Sequence, residues 1–294
     1  MKIGIDLDNT LICYDKAFLS GAKELELVPQ EWEGNKRDIQ HYIREKDGGE
    51  AVWRRLQGQV YGKWLYRAEL FSGVHRFLWR CKIRDIKVQV ISHKTIHGHE
   101  DVARIPIRDV ALEFLEKNRL YSIESSSLID KVQFCSTRQE KLAQISTGGY
   151  DYFIDDLIAI FSSKCFPGQT RKLLFDPGYD GQSEIDYAVS SWQQIEQVMF
   201  SQWDPTELLS IAQEITGRKA ARSVWIGGRG NSGVARVMMI DNSEIAIKIY
   251  SGDEQHDRLG SEYFGYALMR DGGISNLPRP VGYCLDRKVA AYTW

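Results

Sequence analysis

The chain has 294 residues, 43% hydrophobic and 27% charged, without a biased tract, so it can hold one large domain or two ordinary ones around a sizeable core. A net charge of -2 and a pI near 6.3 carry no electrostatic footprint for nucleic acid or an anionic membrane, so an anionic ligand needs a local site. Five cysteines, odd in number and without a C-x-x-C pair, argue against a disulfide framework or zinc site and for reduced thiols.

Residues 2–7 read as a short buried strand. A strand this early leaves no room for a signal peptide, and no apolar run approaches the roughly 20 residues of a membrane span. A cytoplasmic protein without a membrane or nucleic-acid partner is expected. Residues 14–80 carry apolar positions at helical spacing, as in AVWRRLQGQVYGKWLYRAELF (51–71), and read as a helical insertion. HRFLWRCKI continues as a helix with Phe77 and Leu78 toward a core. Further strands are expected at 86–95, 131–136, 150–157 and 171–177, with helices at 110–120, 138–146 and 190–199, the last capped by Ser190 or Ser191. Alternating strands and helices predict an α/β fold with a doubly wound parallel sheet.

The pattern then changes. DPTELLSIAQEI (204–215) reads as a helix capped by Asp204 with Pro205 at its first position, a suitable connector. From about residue 220, two runs read as antiparallel strands joined at 241–243, then a helix at about 255–271 and two more extended pieces. The expected division is a domain over 1–203 with a helical cap at about 14–75, a helical linker over 204–219 and a small α+β domain over 220–294.

Ligands of doubly wound sheets sit outside the carboxyl ends of the strands. The first strand delivers Asp6 and Asp8 there, the run at 86–91 delivers Ser92, and the run at 150–154 delivers Asp155 and Asp156. Lys141 lies on the helix before that strand, with Lys131 as a rival in the same region. Clustered carboxylates raise one another's pKa, and a hard divalent cation such as Mg2+ is their natural compensation. With the charge offset, a phosphate can enter, one carboxylate attack phosphorus and a second handle the proton. His93, His97 and His99 lack a helical i, i+4 spacing and read as a polar loop beside the site rather than as metal ligands.

DLDNT at 6–10, the strand ending in Ser92, Lys141 and FIDDL at 153–157 resemble, in order, the four motifs of the haloacid dehalogenase (HAD) superfamily, over about residues 1–200. The resemblance implies the HAD-like Rossmannoid fold with a helical cap that chooses the substrate. It gives Asp6 the nucleophile role through an aspartyl-phosphate and Asp8 the general acid/base role, which favours a phosphatase over a dehalogenase. Ser92 would bind the phosphoryl group, Lys141 would balance charge, and Asp155 and Asp156 would hold Mg2+ with Asp6 and the Asp8 carbonyl. Asn9, Thr10, His93 and Lys94 are the expected contacts to a small phosphorylated metabolite.

IGGRGNSGVARVMMI places Gly227, Gly228, Gly230 and Gly233 between extended segments; Lys248 follows in an apolar strand and Glu262 on the next helix. Glycines let backbone N–H groups approach phosphate, and a strand lysine needs a partner, which Glu262 can supply. The alternative is an accessory domain whose glycines only shape a hairpin. Together these features resemble the N-terminal lobe of a protein-kinase-like fold, nearest the aminoglycoside-type phosphotransferases, over about 220–294. The resemblance implies ATP contacts from Gly228, Gly230, Gly233 and Lys248, with Lys248 paired to Glu262. The catalytic loop of that fold is not found before the sequence stops at AAYTW. Two readings follow: an Mg2+-dependent phosphatase with a partial kinase-like lobe, or part of a bifunctional protein whose main activity is an ATP-dependent phosphotransfer.

Overall fold

The computed structural model describes residues 1–98, 103–123, 127–179, 185–229, 232–252 and 256–294. Gly230 and His99 therefore lie outside the described residues. The chain begins with β1 (Lys2–Ile5), β2 (Ile12–Cys13), α1 (Asp15–Glu24), α2 (Lys36–Arg44), α3 (Gly49–Tyr61) and β3 (Glu69–Leu70). It continues with α4 (Val74–Ile83), β4 (Lys87–His93), α5 (Ile107–Lys117), β5 (Lys131–Cys135), α6 (Arg138–Gly148), β6 (Tyr152–Asp155), α7 (Ile158–Phe161), β7 (Arg171–Phe175) and β8 (Ala188–Val189). The last part holds α8 (Trp192–Met199), α9 (Pro205–Thr216), β9 (Ala220–Arg229), β10 (Ser232–Met239), β11 (Glu244–Tyr250), α10 (Arg258–Asp271), β12 (Pro280–Cys284) and β13 (Val289–Thr293). Two compact units result: Met1–Phe71 with Asp85–Ser190, and Ser72–Arg84 with Ser191–Trp294.

The first unit is built on a six-stranded parallel sheet in the order β5-β4-β1-β6-β7-β8. Its central strand β1 is apolar on both faces, as buried parallel strands are, with Ile3 and Ile5 fully buried. Gly4 is required there: a Cβ would stand 2.4 Å from the Phe153 ring. The strand order reverses at β1, which makes the carboxyl ends of β4, β1 and β6 a ligand crevice by topology alone.

The insertion after β1 is helical as expected, but its last helix ends at Tyr61 rather than running to residue 71; Gly62 follows and Leu65–Arg67 forms a single 3-10 turn. Phe18 of α1 stacks on Trp53 of α3 with ring centroids 4.9 Å apart, above buried Leu56 and Val60. Asn35 starts α2 through a reciprocal capping box with Asp38. The short β2–β3 ladder, not anticipated, clasps the two ends of the insertion together.

The second unit holds a five-stranded antiparallel sheet in the order β12-β13-β11-β10-β9. Helices α4, α8 and α9 belong to it. Arg76 of α4 forks onto Glu196 of α8 at 2.9–3.1 Å, and Arg80 and Arg84 meet Glu207 of α9 at 2.7–3.2 Å. Arg76 also donates to the Tyr250 carbonyl at the end of β11. Glu207 caps α9 reciprocally with Asp204, and Leu208, Ile211 and Ala212 are buried, so the helix expected as a connector is part of this unit's core. Among the described residues, no helix is long and apolar enough to cross a membrane.

Candidate active site

After Ile5, Asp6 continues β1 by donating its N–H to the Ile154 carbonyl of β6. The chain then turns tightly, with Asn9 in the left-handed region at φ 58°, a conformation asparagine tolerates. This turn carries Asp6 and Asp8 to the carboxyl edge of the sheet. Strand β4 brings Ser92 to the same edge, within the strand rather than after it, and β6 ends at Asp155 with Asp156 next. Thr137 caps α6 by accepting from the Glu140 N–H, which seats Lys141 in the first turn.

The lysine ammonium of Lys141 lies 2.6 Å from Asp6 Oδ1 and 2.6 Å from Asp155 Oδ2, with only 2% of its side chain exposed. Lys131 is exposed on β5. Burial opposes the charge on Lys141, but Asp6 and Asp155 outweigh it and hold the ammonium above its ordinary pKa. Burial pushes the Asp6 carboxyl well above its ordinary value; Lys141 pulls it down, while Asp155, Asp156 and Asp8 push it up. Asp156 is pushed up to about 7, first by burial and then by Asp155, against Lys141 and Lys36. The Ser92 hydroxyl is buried and has no hydrogen-bond partner among the described residues, an arrangement that costs free energy unless a ligand supplies the bond.

Asp6, Asp155 and Asp156 present carboxylate oxygens within 4.8 Å of one another. The Asp8 carboxylate is not in that group. Lys94 grips both of its oxygens at 2.9 and 2.8 Å, and Tyr14 donates to Oδ1 at 2.5 Å. Lys94, expected as a substrate contact, is thus buried and engaged with Asp8, its carbonyl held in turn by Arg108. His93 faces the Ser136 carbonyl through Nε2 and His97 the Ile105 carbonyl through Nδ1. Thr10 is fully buried.

A cavity of ≈ 350 Å³ opens here, lined by Asp6, Asp8, Asn9, His93, Lys94, Lys141 and Asp156 together with Lys36, Gln57 and Tyr61 from the insertion. Its size suits a small molecule. Lys36, Tyr14 and Tyr61 were not singled out from the sequence. They sit among charged and aromatic residues of an amphipathic insertion, where nothing in the spacing separates a site residue from a surface one.

In the second unit, Lys248 and Glu262 form the expected pair at 2.5 Å, each side chain 24% exposed. The glycines have structural roles of their own. A Cβ on Gly233 would stand 2.2 Å from the Trp225 indole, and one on Gly228 would stand 2.6 Å from the Ser232 carbonyl of the paired strand. Gly227 lies beside the register shift that puts a bulge into β9, at φ 124°. Close strand approach requires Gly228, indole packing Gly233 and the positive φ Gly227, whether or not a phosphate comes near.

No protein-family model and no curated protein matches the sequence. Solved structures similar to the chain fall into two sets. One set contains a HAD-superfamily hydrolase of subfamily IA from Geobacter sulfurreducens, 12% identical over 67% of this chain and 95% of that one at a TM-score of 0.42. It also contains a predicted phosphatase from Clostridium acetobutylicum, 12% identical over 68% and 98% at a TM-score of 0.44. The other set contains a spectinomycin phosphotransferase in complex with ADP and spectinomycin, 18% identical over 31% of this chain and 30% of that one at a TM-score of 0.26. The chain spans about 30% of the length of that phosphotransferase.

Proposed function

We propose that the first unit is a phosphatase acting on small phosphate monoesters through a phosphoryl-aspartate on Asp6. The observation that supports it most is the convergence of Asp6, Lys141 and Asp155 at 2.6 Å contacts, at the sheet edge where β4 also carries Ser92, whose buried hydroxyl has no partner among the described residues. In the first step an Asp6 oxygen bonds to phosphorus, the bond from phosphorus to the ester oxygen breaks, and Asp8 delivers a proton to the leaving oxygen. In the second step water attacks phosphorus, Asp8 takes a proton from it, and the bond to the Asp6 oxygen breaks. Inorganic phosphate leaves and Asp6 is again a free carboxylate. Lys141 holds the nucleophile in place and faces the charge that builds on the phosphoryl oxygens. Ser92 donates to one of those oxygens. Tyr14 and Lys94 fix the orientation of Asp8.

The donor set fits a hard divalent cation: three carboxylates meet, and two of them have pKa values raised by burial and by their neighbours. Asp6, Asp155 and Asp156 would hold Mg2+, which when bound neutralises charge between the carboxylates and the phosphoryl group. Hydrolysis of p-nitrophenyl phosphate with and without Mg2+, and after EDTA, tests the reading. Turnover that needs Mg2+ supports it, and absence of turnover with Mg2+ over a panel of monoesters contradicts it. The five free cysteines support a reducing, cytoplasmic setting.

A second reading, ATP binding by the C-terminal lobe, draws support from the Lys248–Glu262 pair alone. Calorimetry with Mg-ATP tests it: heat that is lost in Lys248→Met supports the reading, and no heat contradicts it.

A further inference from the structure

Three lysines line the cavity of the first unit, and they differ in what holds them. Lys141 lies between Asp6 and Asp155, and Lys94 is bidentate on Asp8. Lys36, the first residue of α2, instead donates to two neutral oxygens, Asn9 Oδ1 at 2.8 Å and Tyr61 Oη at 3.1 Å. Its ammonium also lies 5.2 Å from the centroid of the Phe18 ring and 5.6 Å from that of Tyr61. No carboxylate of the described residues lies within ion-pair distance of it.

An ammonium carries three N–H donors, so two bonds leave one direction open. Asp156 and Asp8 act on this ammonium without touching it, so a cation held by aromatic rings and neutral oxygens still gains from an anion brought into hydrogen-bond contact. Position says which part of a substrate that anion belongs to. Asn9 directly follows Asp8, the residue that must reach the leaving oxygen, and Tyr61 ends α3 of the insertion. Lys36 therefore stands where a leaving group passes, apart from Lys141 at the point of phosphoryl transfer.

We infer that Lys36 reads a second anionic group, carried by the leaving group, and that the substrates are short phosphate monoesters bearing a carboxylate or a second phosphate. This rests on the phosphatase reading. The cavity of ≈ 350 Å³ holds the phosphoryl group and a leaving group of a few carbons.

The test uses the full chain with Mg2+ and four probes: p-nitrophenyl phosphate, 2-hydroxyethyl phosphate, 2-phosphoglycolate and 1,3-propanediol bisphosphate. The wild type is expected to prefer one of the two doubly anionic probes over 2-hydroxyethyl phosphate by about 10- to 100-fold in kcat/KM, the scale of one charge-assisted hydrogen bond. The better of the two identifies the anion. Lys36→Met is expected to collapse that ratio toward one, and Lys36→Arg to retain part of it; matching melting curves show that both variants fold. Equal turnover of neutral and doubly anionic probes by the wild type overturns the inference while leaving the phosphatase reading intact. So does a preference that survives in Lys36→Met, or turnover of p-nitrophenyl phosphate alone. No turnover of any probe overturns both readings.

Discussion

Two lysine–carboxylate contacts of nearly equal length carry different weight in the two units. Lys141 meets Asp6 and Asp155 at 2.6 Å with 2% of its side chain exposed, whereas Lys248 meets Glu262 at 2.5 Å with both side chains 24% exposed. The first contact lies among carboxyls that burial and mutual repulsion drive upward in pKa, and Asp6 and Lys141 line a cavity. Taking such charges out of water costs several kcal/mol per ion, so the arrangement is better understood as a place for a ligand than as a source of stability. The second is a partly solvated ion pair, worth about 0–1 kcal/mol, in a lobe whose glycines already have packing roles. Contact distance does not separate the two. Burial and the company each pair keeps do.

Substitutions sharpen that contrast. Asp6→Asn removes the attacking oxygen and is expected to lower kcat on p-nitrophenyl phosphate by about 10³-fold or more; retained turnover breaks the assignment of the nucleophile. Asp8→Asn removes the proton donor and should cost about 10²- to 10⁴-fold in kcat, and because it leaves the buried Lys94 ammonium without its carboxylate it should also lower the melting temperature. Lys141→Met leaves two buried carboxylates unpaired, so it should both slow turnover and, without Mg2+, lower the melting temperature. Lys248→Met should move the melting temperature little, in keeping with about 0–1 kcal/mol. Equal destabilisation by the two lysine substitutions would erase the distinction between the pairs.

Asp156 sets one part of the pH dependence of the metal-free protein, beside Asp6, whose carboxyl is raised as well. The folded-state value of Asp156, about 7, stands above its ordinary 3.8, so between those values the folded state holds a proton that the unfolded state has released. Stability from this group therefore falls as pH rises through that window and levels off above about 7. Mg2+ competes with the same proton. The rise in melting temperature that Mg2+ produces is expected to be larger at pH 8 than at pH 6; a rise independent of pH would remove Asp156 from the metal site.

Residues at strand ends were legible in the sequence because the fold class fixes where strand ends point. Asp6, Ser92, Asp155 and Asp156 could be placed from apolar runs and topology alone, and Lys141 from its place on the helix before β6 together with the HAD resemblance, which left Lys131 as a rival. What Asp8 touches could not be read. The grip of Lys94 on it depends on the turn through Asn9 and on the path of the chain beyond β4, which no periodicity encodes. Lys36 was further out of reach, since it opens a helix in the run NKRDIQ, where a lysine reads as solvated surface.

The same limit hid the unit to which α4 belongs. Phe77 and Leu78 announced a core-facing helix, but the partners that tie it to the second unit are Arg76 and Arg80 with Glu196 and Glu207, more than a hundred residues apart. Charged residues paired over that separation leave no local pattern. The glycines at 227–233 are open to two explanations at once. Their spacing suggests backbone approach to a phosphate, and the Trp225 ring and close strand pairing independently call for glycine at 233 and 228.

The claim that Asp6 carries the phosphoryl group is tested most directly by acid-quenching the enzyme during turnover and locating the covalent phosphate by peptide mass spectrometry. The predicted result is a single phosphoryl group on the N-terminal peptide at Asp6, formed with Mg2+ and substrate, discharged when turnover is allowed to finish, and absent from Asp6→Asn. A phosphoryl group on another residue, or full turnover by Asp6→Asn, would contradict it.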